Sequence, residues 1–150
     1  IFFIEQKLMT SLIFTIINTS MIFFWALMIF TPKSNITQKM ISYPYVPLIL
    51  SFGYVFFLGQ VPNIFQADFS SLDGILELFK NSTPESAAAG WIHYLAFDFW
   101  MGAWILQNAQ KRKISHLVII IPLTCTFMLG PFGVLLYAIF SKVSLKFKKQ

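Results

Sequence analysis

A chain of 150 residues with 57% hydrophobic and only 11% charged side chains departs from the roughly 45–50% apolar and about 25% charged make-up of soluble domains. So little charge cannot cover a water-facing surface, which excludes an ordinary soluble domain and makes lipid the expected surrounding. The formal net charge of +5 does not indicate nucleic acid, because the basic residues flank apolar runs and do not interleave with stacking aromatics on one face.

The first apolar run, residues 8–30, carries no charge and is long enough to cross a hydrocarbon core of ~30 Å at 1.5 Å per residue. Thr15, Asn18 and Thr19 share one face of it, a pattern suited to interhelical hydrogen bonds. Thr31-Pro32-Lys33 ends the helix, and a polar loop is expected to about Ser42. A second span, about 43–61, begins with Pro44 and Pro47, which suit a first helical turn; Tyr43 and Tyr45 suit an interfacial belt. Between 63 and 87 lie four of the six acids, Asp68, Asp73, Glu77 and Glu85. Here Leu72, Ile75, Leu76 and Phe79 recur at helical spacing behind a Ser71 cap, predicting a short amphipathic helix over about 71–80 that lies on the interface.

The third span, about 88–108, is closed by Lys111-Arg112-Lys113. The fourth, about 116–140, is expected to kink at Gly130-Pro131, because a proline inside a helix removes one backbone hydrogen bond and crowds the preceding turn. The reading is an all-α integral membrane bundle of four transmembrane helices, one domain over 1–150, with a short interfacial helix between the second and third. Four crossings put both ends on one side. They then set Lys7, Lys80, Lys142, Lys146, Lys148 and Lys149 against Lys33, Lys39, Lys111, Arg112 and Lys113, which leaves the orientation open. Cys125 is the single cysteine, so no intrachain disulfide is available. The chain opens on Ile1, so a processed or partial sequence is expected.

Chemistry concentrates in the third span. An ionisable group at membrane depth costs at least ~2.5–3.5 kcal/mol on insertion scales, so Asp98 needs either a structural hydrogen bond (Asn18, Gln60 and Thr124 are candidate partners) or a proton-transfer or ligand role. His93 lies five residues away, about 140° around the helix, so the two do not share a face. Tyr94 and Gly102 share the Asp98 face, and a Tyr94–Asp98 contact is expected. His93 aligns with Phe97, Trp100 and Trp104, a stripe that either packs in the core or holds a flat conjugated ligand. The histidines have no neighbours at metal-ligand spacing, so no metal is expected.

The run Ala87-Ala88-Ala89-Gly90-Trp91-Ile92-His93-Tyr94-Leu95-Ala96-Phe97-Asp98 resembles the signature of the abscisic-acid-deficient-four-like family. So does the continuation through Gly102, Trp104, Ile114-Ser115-His116-Leu117 and Gly130-Pro131-Phe132-Gly133. The resemblance covers roughly residues 45–140 and is specific from Gly90 onward. It implies a four-helix membrane protein of carotenoid metabolism, similar to the factor that converts violaxanthin to neoxanthin by epoxide-to-allene isomerisation. The alternative is a non-catalytic membrane subunit packed in a larger photosynthetic or respiratory complex. On the first reading Asp98, raised in pKa by its apolar site, is the candidate acid, and His93 or His116 the base. Tyr94, Phe97, Trp100, Gly102 and Trp104 are candidate ligand-lining residues. No cofactor is required, a bound carotenoid is the ligand that the resemblance allows, and the lipid membrane is the expected partner. The implied location is a chloroplast thylakoid or envelope membrane, or in a bacterium the plasma or thylakoid membrane. One departure stands out: Phe99-Trp100-Met101 replaces the Leu-Phe-Val that plant-type members carry after the aspartate, a bulkier stripe.

Overall fold

The computed structural model describes residues 2–147. These form seven α-helices and no strand: α1 (Phe2–Phe30), α2 (Asn35–Ser42), α3 (Tyr45–Leu58), α4 (Leu72–Lys80), α5 (Pro84–Lys111), α6 (His116–Leu129) and α7 (Pro131–Phe147), with a 3-10 turn at Ile64–Gln66. One helix among the described residues, over Glu5–Phe30, is long and apolar enough to cross a membrane; α2 and α3 qualify together only across a bend of 56°. Four transmembrane helices are therefore not what the helix lengths alone establish.

The long α5 is the axis of the bundle. It starts in a capping box, in which the Thr83 side chain accepts from the Ser86 amide and the Ser86 side chain accepts from the Thr83 amide, satisfying two orphan donors of the first turn. Its buried face is rich in small residues, Ala88, Ala89, Ala96, Gly102, Ala103 and Ala109, which let neighbouring backbones approach closely. Helix α1 runs parallel to it: Thr10 Oγ1 donates to Glu85 Oε1 at 3.1 Å, and Trp91 Nε1 donates to Asn18 Oδ1 at 2.9 Å. Further along, the Trp25 ring lies over Gly102 and meets Phe99 edge-on, with ring centroids 6.0 Å apart. Helix α3 runs antiparallel to both, so that its Tyr54 meets His93 while Gln60 meets Gln6 of α1.

The segment read as a polar loop contains α2, started by Ser34, whose side chain accepts from the Thr37 amide. Thr37 is fully buried and donates to the Thr31 carbonyl at 2.8 Å. The amphipathic helix predicted over 71–80 is present as α4. Ser71 caps it, accepting from the Gly74 amide at 3.0 Å, and none of its residues is buried.

The fourth span is the main correction. In place of one kinked helix over 116–140, α6 and α7 lie side by side. The amide of Gly130 closes α6 onto the Thr126 carbonyl at 2.9 Å. Gly130 then takes φ +48°, a left-handed value that favours glycine, and Pro131 opens α7. Gly133 sits directly against the α6 backbone at Thr126 and Pro122, where a side chain would collide. Tyr137 of α7 has returned to the far end of α5, donating to Asn108 Oδ1 at 2.7 Å. A kinked span would have continued toward the level of Glu85; the hairpin reverses halfway along α5, at Asp98.

Candidate functional site

The three residues read from the sequence as an acid–base set do not come together. Asp98 is half-buried on the flank of α5 that meets the tip of the α6–α7 hairpin; a Cβ built on Gly130 would stand 2.5 Å from its Oδ1. His93 is on the opposite flank, against Tyr54 of α3. His116 opens α6, and its Nε2 donates to the Ile29 carbonyl at 2.8 Å. Fourteen residues of α6 separate His116 from the hairpin tip, a rise of ~21 Å at 1.5 Å per residue. Asp98 and His116 thus bracket α6 end to end and form no pair.

The partners suggested for Asp98 are otherwise engaged. Asn18 accepts from Trp91, Gln60 Nε2 donates to the Phe56 carbonyl, and Thr124 Oγ1 donates to the Ile120 carbonyl. Tyr94 makes no hydrogen bond to Asp98; its ring stands edge-on to His93, centroids 6.2 Å apart. The position of Asp98 at the start of α7 is one where the helix dipole favours negative charge.

His93 belongs to a run of aromatic contacts. Its ring lies 5.7 Å from Tyr54 and 4.8 Å from Phe97, and Phe97 stacks with Trp100 at 6.3 Å. Phe97 and Trp100 are 55% and 52% exposed, so this stripe is not core packing. Trp104 ends the row by meeting Tyr137 edge-on at 5.6 Å. Gly102, grouped with these residues in the sequence, is buried under Trp25 and lines nothing open.

Beside His93 a cleft of about 750 Å³ opens between α3, the 64–69 turn, α4 and the first turns of α5. Tyr54, Phe65, Phe79, Trp91, His93 and Tyr94 are among its walls. Of the candidate residues, the cleft therefore gathers His93 and Tyr94 and leaves out Asp98 and His116. Sequence reasoning missed Tyr54, Phe65 and Phe79, which come from elements distant in the chain and meet His93 only through the antiparallel α3 and the folded-back α4.

The described residues thus form an α-helical bundle with many large apolar side chains on its outer surface and an aromatic-lined cleft beside His93. The chain belongs to the family described as ABA DEFICIENT 4-like, which matches residues 12–137 and so reaches back over most of the first helix. Over 113 residues it is 28% identical to Protein ABA DEFICIENT 4, chloroplastic, of Arabidopsis thaliana, covering 70% of this chain. The chain spans about half the length of that relative. No solved structure matches it.

Proposed function

We propose that the chain is a membrane-embedded protein of carotenoid metabolism that takes a xanthophyll into the cleft beside His93. The observation that carries this reading is the cleft itself: its volume lies within the roughly 300–1,000 Å³ of ligand sites, and it is lined by aromatic rings with few polar groups. Family membership supplies the ligand class, and the chloroplastic relative supports a chloroplast membrane as the location.

Embedding is supported by the outer surface. Large side chains such as Leu12, Ile16, Phe23, Ile49, Phe52 and Val55 stand exposed on α1 and α3, an area far beyond what water tolerates. In this reading α1, α3 and α5 cross the bilayer, α4 lies on its surface, and the α6–α7 hairpin enters and leaves on the same side. That arrangement favours one orientation. The hairpin moves the tail to the end holding Lys33 and Arg112. Among the described residues that end carries Lys33, Lys39, Lys111, Arg112, Lys113, Lys142 and Lys146, against Lys7 and Lys80 at the other; Lys148 and Lys149 lie outside the described residues. The acids Glu5, Asp68, Asp73, Glu77 and Glu85 all lie at the sparse end. The basic end faces the cytoplasm, or the stroma in a plastid.

For epoxide-to-allene isomerisation the cleft offers His93 as base, with Tyr54 and Tyr94 hydroxyls as donors. One epoxide C–O bond breaks, its electron pair staying on oxygen, which takes a proton from a donor. The neighbouring C–H loses its proton to His93, and its electron pair forms the new double bond, so the formula is unchanged. The test is pigment analysis after supplying the epoxide to the membrane-reconstituted protein. His93→Ala should cut conversion by roughly two orders of magnitude, the worth of a general base, while leaving bound pigment in place. Unchanged conversion excludes this chemistry; absence of bound pigment in the unaltered protein excludes the ligand. The exposed Phe97–Trp100 stripe supports a second reading, a membrane subunit that packs against a larger complex, and co-purification with such a complex distinguishes it.

A further inference from the structure

At the basic end a second cavity, of about 640 Å³, opens between the turn after α1, helix α2, the end of α5 and the start of α6. Its polar lining is Lys33, Gln38, Gln110, Lys113, Ser115 and His116; Leu106, Leu117 and Ile119 line it below. The polar groups converge through the backbone of one turn: Gln38 and Gln110, from two different helices, both donate to the Pro32 carbonyl, at 2.5 and 3.3 Å. His116 is fixed by its bond to the Ile29 carbonyl, and because a carbonyl only accepts, Nε2 carries the proton. Its Nδ1 is buried and has no hydrogen-bond partner. No acidic residue lines this cavity.

We infer that this cavity is a headgroup site for an anionic lipid of the cytoplasmic or stromal leaflet. Two lysines supply the charge complement, and the amide side chains of Gln38 and Gln110 each have a second N–H to donate. Of its apolar lining residues Leu117 stands exposed at the cavity mouth, offering acyl chains a contact that a free phosphate would not use. Phospholipid and soluble phosphate share the anionic chemistry; that apolar contact favours the lipid. Basic pockets between helices on this side of a bilayer are sites of that kind. The inference rests on the membrane reading above but not on the carotenoid one.

The purified chain is titrated in neutral detergent with phosphatidylglycerol, phosphatidylcholine or inorganic phosphate, and lipid retention is read by native mass spectrometry alongside thermal unfolding. Phosphatidylglycerol should be retained and should raise the unfolding temperature, with little response to the other two. Lys33→Gln with Lys113→Gln should weaken retention by roughly tenfold or more, at about 1 kcal/mol per basic residue. Lys33→Gln alone, in an exposed turn that leaves the fold intact, should give part of that loss. Lys142→Gln with Lys146→Gln removes equal charge from the same end outside the cavity and should leave retention nearly unchanged. Equal retention of phosphatidylcholine, equal losses from the two lysine pairs, or full stabilisation by inorganic phosphate overturns the site. Release of the chain from membranes by alkaline carbonate overturns the membrane reading itself, so the two failures are told apart.

Discussion

Asp98 and Gly130 are fitted to one another: the carboxylate occupies the space that a side chain at position 130 would need, and Gly130 holds the positive φ that turns α6 back into α7. Gly130→Ala should therefore lower stability by about 1–3 kcal/mol, through backbone strain and the displaced carboxylate together. Asp98→Ala should relieve only the second part. A double-mutant cycle read by chemical unfolding in micelles measures their coupling; strictly additive losses show that the two residues do not interact.

Tyr137→Phe removes the side-chain hydrogen bond from α7 to Asn108 of α5, leaving Asn108 Oδ1 without that donor. An unpaired acceptor in a half-buried site costs about 1–3 kcal/mol. The loss should be local, so protease sensitivity is expected to rise in α7 before α1 and α3 are affected.

Gly102→Val places a branched side chain where the Trp25 ring lies. Overpacking of this kind costs typically 1–3 kcal/mol. Tryptophan fluorescence should shift to the red as Trp25, otherwise almost fully buried, is pushed from its seat.

Asp68 is held at a pKa of about 2, below its ordinary 3.8, by bonds from the Ser70 hydroxyl first, then the Ser71 hydroxyl and the Ser70 amide. A lowered pKa in the folded state means that the carboxylate favours the folded loop above pH ~4, and that this contribution fades as pH falls toward 2. Amide protection factors at Ser70 and Gly74, corrected for intrinsic exchange at each pH, should fall across that window and stay constant above it. Asp68→Asn should abolish the dependence.

A reporter fused after Phe147 and one inserted near Ser82 should fall on opposite sides of the membrane, and reporters after Phe147 and near Lys33 on the same side. Four complete crossings give the reverse pattern, so a single set of accessibility measurements separates the two topologies.

Much of the fold was legible because local rules act alone in it. The uncharged 8–30 run, the Ser71 cap and the apolar spacing of α4 each specify their element without help from elsewhere. The Ser34 cap of α2 was there to be read, with Ile36, Met40 and Ile41 at helical spacing behind it, but the polar character of the segment concealed it. The hairpin was not legible. Gly130-Pro131 is compatible with a kink or a full reversal, and the choice depends on Gly133 meeting the backbone at Thr126 and on Tyr137 finding Asn108, contacts that no local pattern encodes. For the same reason the angular argument separated His93 from Asp98 correctly, while the position of His116 at the far end of α6 emerged only with the tertiary fold.

The return of α7 has a consequence for how the chain is made. On the membrane reading the hairpin tip stops beside Asp98, halfway along α5, so neither α6 nor α7 crosses the bilayer by itself. The tip of α6 would be stranded in lipid with unsatisfied backbone groups unless α7 closed on it and α5 were already in place beside it. In the membrane reading proposed above, the two helices are therefore expected to enter as one folded unit, on a platform built from the preceding segments. Damage early in the chain then shows itself as failed insertion at its end.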